Sequence, residues 1–276
     1  MEKLIITLSM LGNVPTKDKN PATPVTPMEI ADTLEECCAL GVSVAHIHAR
    51  DDQQRPTHSR DVYQAILDEI FRRRINVITQ LSTGVRGGDN SAESRGQMLD
   101  LDCEMGSLAT GSSNFLTMVN ANSPDLITAM ATKMLENGLK PEIEAFDVSM
   151  IDNAAYLANK GILQAPLHFN LVMNVPGSIK GTPKNLLYMV ESLPPASTWT
   201  VSGIGRSQIS MLAMAMILGG HVRTGLEDVL QMPDGRPATN RLLVEQLLAL
   251  AHVLGREIAT PDEARKIMGL PQRLAG

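Results

Sequence analysis

The stretch VSVAHIHARD, residues 42–51, decides the fold. Its first half is short, apolar and rich in valine, which suits a strand, and it lies between two segments of helical period. Upstream, TPMEIADTLEECCALG (26–41) offers Thr26 as a cap, Pro27 at the first helical position and Gly41 as a stop. Downstream, SRDVYQAILDEIFRRR (59–74) repeats the pattern. A strand between two helices points to a parallel sheet, because a parallel neighbour is reached by a crossover.

Seven further runs have the same character: 4–10, 76–82, 105–110, 142–147, 167–173, 198–203 and 221–225. Helical segments such as SPDLITAMATKMLENG (123–138) and TNRLLVEQLLALAHVLG (239–255) stand between or after them. Eight strand-then-helix units predict an α/β protein of the (β/α)8 class, a TIM barrel, as a single domain over residues 1–276. The runs read as apolar through their length, as strands buried on both faces should. An open doubly wound sheet would show GxGxxG after its first strand, and SMLGNVPTKDKNP (9–21) lacks it.

Composition narrows the class. Hydrophobic residues make up 43% and charged residues 20% of the 276, with no apolar run near the ~20 residues a bilayer demands, so a soluble globular protein without a membrane partner is expected. The net charge of -6 argues against nucleic acid. Three cysteines, two of them adjacent (Cys37, Cys38), form neither a disulfide framework nor a CxxC zinc pattern, which fits a reducing cytoplasm. The opening MEKLIITLSML reads as the first strand, since no small-residue cleavage site follows it.

In a barrel, chemistry collects where strands end and βα loops begin. His46 and His48 sit at i and i+2 of one strand and so project together, as two ligands of a divalent metal would; two hydrogen-bonded core histidines are the alternative. GGHVRTGLEDVL (219–230) favours the metal, because Glu227 supplies a carboxylate as third ligand. Asp228 beside it can act as a base, with Arg223 keeping it ionised and oriented. Glu144 ends the fifth strand. The loop STGVRGGD (82–89) brings Ser82, Thr83 and Gly84, and Ser107 ends the fourth strand. SGIGRSQ (202–208), with Gly203, Gly205 and Arg206, follows the seventh strand, where barrels often bind an anion; a plain tight turn fits it equally.

Several ordered motifs carry a resemblance: VTPME (25–29), HIHAR (46–50), QLSTG (80–84), PEIE (141–144), NVPGS (174–178), GTPKNLLYM (181–189), GIGR (203–206), GGHVRTGLED (219–228) and ATPDEAR (259–265). With them the chain resembles the β-keto acid cleavage enzymes over nearly its whole length. The resemblance implies a zinc-dependent barrel that joins a β-keto acid with acetyl-CoA and releases acetoacetate and a new acyl-CoA. It implies metal ligation by His46, His48 and Glu227, a deprotonating dyad of Arg223 and Asp228, a substrate site lined by Ser82, Ser107 and Glu144, and a homotetramer. Members that take an amine-bearing acid carry a glutamate in the first βα loop, where this chain has Val14 after Asn13. An ammonium facing valine would be buried unpaired, so a neutral, short aliphatic tail is expected.

Three rivals remain on the residues alone. An amidohydrolase would place HxH on its first strand and a histidine on its fifth, and here HxH is on the second and EIEAF has none. A metal-assisted aldolase would work without acetyl-CoA. A CoA- or metabolite-binding sensor would bind without turnover.

Overall fold

The computed structural model describes residues 2–84, 89–116 and 118–272. Eight parallel strands close a barrel: β1 (Ile6–Ser9), β2 (Val44–Ile47), β3 (Ile78–Leu81), β4 (Met105–Ala109), β5 (Lys140–Ala145), β6 (His168–Met173), β7 (Thr198–Gly203) and β8 (His221–Thr224). They pair in chain order, and β1 closes the ring on β8 with Thr7 opposite Arg223. Helices α1 (Pro27–Cys38), α2 (Arg60–Arg72), α3 (Ala92–Gly96), α4 (Pro124–Glu136), α5 (Val148–Asn159), α6 (Pro183–Glu191), α7 (Gln208–Leu218) and α8 (Asn240–Val253) follow the strands, and α9 (Pro261–Met268) ends the series.

Four helices start on Ser-Pro or Thr-Pro, where the hydroxyl accepts an orphan backbone N–H and the proline presets φ. In α1 Thr26 and Glu29 cap reciprocally, and Ile30, Ala31, Leu34 and Cys37 form the buried stripe. Gly41, expected to stop this helix, lies beyond its end at Cys38; its φ of +111° turns the chain toward β2.

The expectation of strands apolar throughout is corrected. Side chains alternate, and the polar set lies inside the barrel: His46 and His48 on β2 and its end, Glu142 and Glu144 on β5, His168 and Asn170 on β6, Thr200 and Ser202 on β7, His221 and Arg223 on β8. The outward set, such as Ile6, Leu8, Ile47, Ile143, Leu171 and Val201, packs in the main core cluster with helix residues. Burial on both faces had hidden the alternation, because inward polar residues are as enclosed as outward apolar ones. At the N-terminal end of the barrel the interior turns apolar: Ile5, Val44, Ile78 and Met105 meet Ala264 and Met268 of α9, which plugs that end. The opposite end stays open to carry chemistry.

Two short hairpins stand on the open end, Ala49–Arg50 with Pro56–Thr57 and Ser113–Phe115 with Met118–Asn120. Among the described residues no helix is long and apolar enough to cross a membrane.

Candidate active site

A cavity of about 310 Å³ opens at the C-terminal end of the strands. His46, His48 and Glu227 converge in its wall. His46 Nε2 lies 3.2 Å from His48 Nε2, and the Glu227 carboxylate lies 3.6 Å from the first and 3.4 Å from the second. Donor atoms of a tetrahedral zinc shell, with bonds of ~2.0–2.1 Å, stand roughly 3.3 Å apart, so these three fit one divalent ion.

The tautomer fits as well. His46 Nδ1 meets Gln80 Oε1, and a ring proton placed on Nδ1 by that acceptor leaves the Nε2 lone pair toward His48 and Glu227. Burial first, then the nearby Arg223, pushes the His46 pKa down to about 4, which keeps the ring neutral and able to ligate. Burial raises Glu227, but Arg223 and the two imidazoles outweigh it and leave the carboxyl well below its usual range. Ser9 Oγ donates to Glu227 Oε2, and Arg223 Nη2 lies 2.9 Å from the same oxygen. Gly12 makes room for this side chain: a Cβ there would lie 2.3 Å from Glu227 Cγ.

Arg223 clamps Asp228 with two hydrogen bonds, Nε to Oδ2 at 3.1 Å and Nη2 to Oδ1 at 2.8 Å. Its remaining nitrogen, Nη1, is buried without a hydrogen-bond partner and lies 3.7 Å from Glu144 Oε1. Burial lifts Asp228 to about 6 against the pull of Arg223. Glu144 goes further, to about 8, through burial and the neighbouring Glu142 and Glu227, so it is mostly protonated at neutral pH. Two carboxyls thus stand in one cavity, one suited to take a proton and one to give it.

The structure sorts the other expected residues. Ser82, Gly84, Asn13 and Val14 line the cavity, with Asn13 Nδ2 donating to Gly84 O at 3.1 Å. Thr83 and Ser107 bond to each other instead: Ser107 Oγ accepts from Thr83 N, and Thr83 Oγ1 donates to Ser107 O. Residues 85–88 of the glycine-rich loop lie outside the described residues. Gly203 serves packing, since a Cβ there would meet Gln208 Cα at 2.7 Å, whereas Gly205 and Arg206 line a second cavity. His221 stays at the barrel's lower end, where Nδ1 accepts from Ile5 N.

Sequence reasoning missed four participants: Gln80, Ser9, Arg50 and Arg95. Gln80 and Arg50 stand inside quoted motifs, QLSTG and HIHAR, and the i, i+2 step from Gln80 to Ser82 was available as a signal. Arg50 ties the first βα loop through Pro15 O at 2.7 Å. Arg95, 3% exposed, lines the cavity and donates to Thr83 O at 2.8 Å; nothing in SAESRGQ marks it.

The chain matches known proteins over nearly its whole length. The family model described as beta-keto acid cleavage enzyme matches residues 3–270. The chain is 44% identical to a 3-keto-5-aminohexanoate cleavage enzyme of Acetoanaerobium sticklandii, over 98% of this chain and 99% of that one. It is 39% identical to a 3-oxoadipate:acetyl-CoA acetyltransferase of Cupriavidus necator, over 97% and 95%. Among solved structures, a ternary complex of ObcA with a C4-CoA adduct and oxalate shares the fold, with a TM-score of 0.77 at 24% identity over 91% of this chain and 68% of that one. On the match across nearly its full length, this chain belongs to the β-keto acid cleavage enzyme family.

Proposed function

We propose that this chain transfers between a β-keto acid and acetyl-CoA: R–CO–CH2–COO⁻ and acetyl-CoA give R–CO–CoA and acetoacetate. The observation that carries the reading is the metal-ready His46, His48 and Glu227 set beside a clamped, buried Arg223–Asp228 pair in one cavity. Asp228 takes a proton from C2 of the acid, and Arg223 holds its carboxylate in line while stabilising the charged form. Arg223 lines the cavity, and its Nη1, without a hydrogen-bond partner and 3.7 Å from Glu144 Oε1, is a spare donor beside that carboxyl. Glu144, protonated, donates to developing negative charge on oxygen. Zinc fits the two-imidazole, one-carboxylate set and would supply Lewis-acid polarisation of a carbonyl.

Val14, Pro15, Phe115, Leu116, Phe146 and Val175 give the cavity apolar wall. That wall favours a short neutral tail over an ammonium, which would sit there unpaired. The resemblance supports a homotetramer, and three cysteines that form no disulfide framework fit a reducing cytoplasm.

Acetoacetate formation from a panel of β-keto acids tests the reading. Zinc-loaded protein should form acetoacetate from neutral-tailed acids only when acetyl-CoA is present, and His46→Ala should lose at least about a hundredfold in rate. Val14→Glu should shift preference toward an amine-bearing acid. Turnover without acetyl-CoA would point to an aldolase, and wild-type preference for the amine-bearing acid would overturn the tail assignment.

A further inference from the structure

Beside the first ligand set the barrel interior holds another. His46, Glu142 and Glu144 present one donor atom each, all within 4.8 Å of one another. Glu142 and Glu144 stand at i and i+2 of β5 and so share its inward face, and barrel closure brings them to His46 on β2, a strand that β5 does not pair with.

The second observation is Glu142 itself, a carboxyl to which the proposed reaction gives no task. Its side chain is wholly enclosed, and Oε1 has no hydrogen-bond partner. His168 Nε2 lies 3.7 Å from Oε1, and Asn170 Nδ2 reaches Oε2 only at 3.4 Å. A buried carboxylate held this loosely is costly, and a cation beside it removes the cost. Arg223 is committed elsewhere, because its guanidinium already lies 3.7 Å from Glu144, 2.9 Å from Glu227 and 2.8 Å from Asp228.

We propose that His46, Glu142 and Glu144 form a second seat for a divalent cation, alternative to the first and suited to manganese(II). Alternation follows from His46. Its Nδ1 meets Gln80 Oε1, so Nε2 is the atom it can give to either seat, and one lone pair holds one ion. The choice of ion follows from the donors: two carboxylates and one imidazole are a harder set than two imidazoles and one carboxylate, and carboxylate oxygen suits manganese where imidazole suits zinc. An ion in the second seat takes the Glu144 carboxyl that the proposed reaction uses as a donor and withdraws His46 from zinc, so it stops turnover. Only this last consequence rests on the proposed reaction.

Manganese and zinc titrations of metal-free protein, with free manganese read by electron paramagnetic resonance, test the seat on wild type, Glu142→Gln and His48→Ala/Glu227→Gln. Glu142→Gln should weaken manganese at least about tenfold and leave zinc affinity unmoved, whereas His48→Ala/Glu227→Gln should weaken zinc at least about tenfold and leave manganese unmoved. In wild type, zinc should release manganese one for one. Manganese affinity unchanged in Glu142→Gln, or lost in His48→Ala/Glu227→Gln, would overturn the second seat, and one zinc bound together with one manganese would overturn the alternation. Zinc binding by Glu142→Gln reports that it is folded; if it does not fold, the variant altered at the cavity wall still decides between one seat and two. Two seats without acetoacetate formation would keep the proposal and remove the reaction; acetoacetate formation with a single seat would do the reverse.

Discussion

Asp228 and Glu144 differ from ordinary carboxyls in the same direction but to different extents. Burial lifts both, and Arg223, which is hydrogen-bonded to Asp228 and 3.7 Å from Glu144, restrains the first more. A base must be ionised, so activity should rise as pH climbs through about 6, the Asp228 value. A donor must be protonated, so activity should fall as pH climbs through about 8, the Glu144 value. A bound cation moves both limbs toward acid, because it favours the charged carboxylates. Glu144→Gln keeps a donor that cannot titrate, and its kcat/KM profile should lose the alkaline limb and keep the acid one. An alkaline limb that survived the substitution would remove Glu144 from that role.

Elements set the ligand geometry through close approach. The β1 end brings Ser9 and Gly12 against Glu227, and Gly225, at φ +144°, folds the β8 loop so tightly that a Cβ there would lie 2.0 Å from Ser9 O. The loop after β8 therefore seats Glu227 only because both approaches are free of side chains. Gly12→Ala should displace the carboxylate and weaken metal binding by about 10–100-fold, as other disturbances of ligand support do. Competition with a chromophoric chelator measures this directly; unchanged affinity would mean that Glu227 is not a ligand. The start of α1 at Thr26-Pro27 was legible in the sequence, because a cap is a local event, whereas α9, which starts the same way at Thr260-Pro261, went unread. The end of α1 was displaced, because a glycine at φ +111° marks a turn without fixing how many residues earlier the helix stops.

At the scale of the whole molecule, stability and chemistry occupy opposite ends of the barrel. α9 closes the N-terminal end with apolar contacts and a buried pair in which Arg265 reaches Glu104 at 2.7 and 2.9 Å. Arg265→Ala would leave the Glu104 carboxylate enclosed without this partner, a loss of about 3–5 kcal/mol measurable by denaturant unfolding. A change under about 1 kcal/mol would place this pair with ordinary surface ion pairs. The sequence by itself determined the eight βα units, the ring they imply and the common direction of His46 and His48, because capping, strand composition and the two-residue side-chain period are properties of neighbouring residues. Tertiary structure alone decided which face of each strand is interior, for buried polar and buried apolar positions both end up enclosed. It also decided that Gln80 orients His46 across 34 residues and that Ser9 holds Glu227 across 218, and it placed Gln208, Lys19 and Arg206 around one cavity. Such contacts come from barrel closure and strand register, which join residues that no local pattern connects.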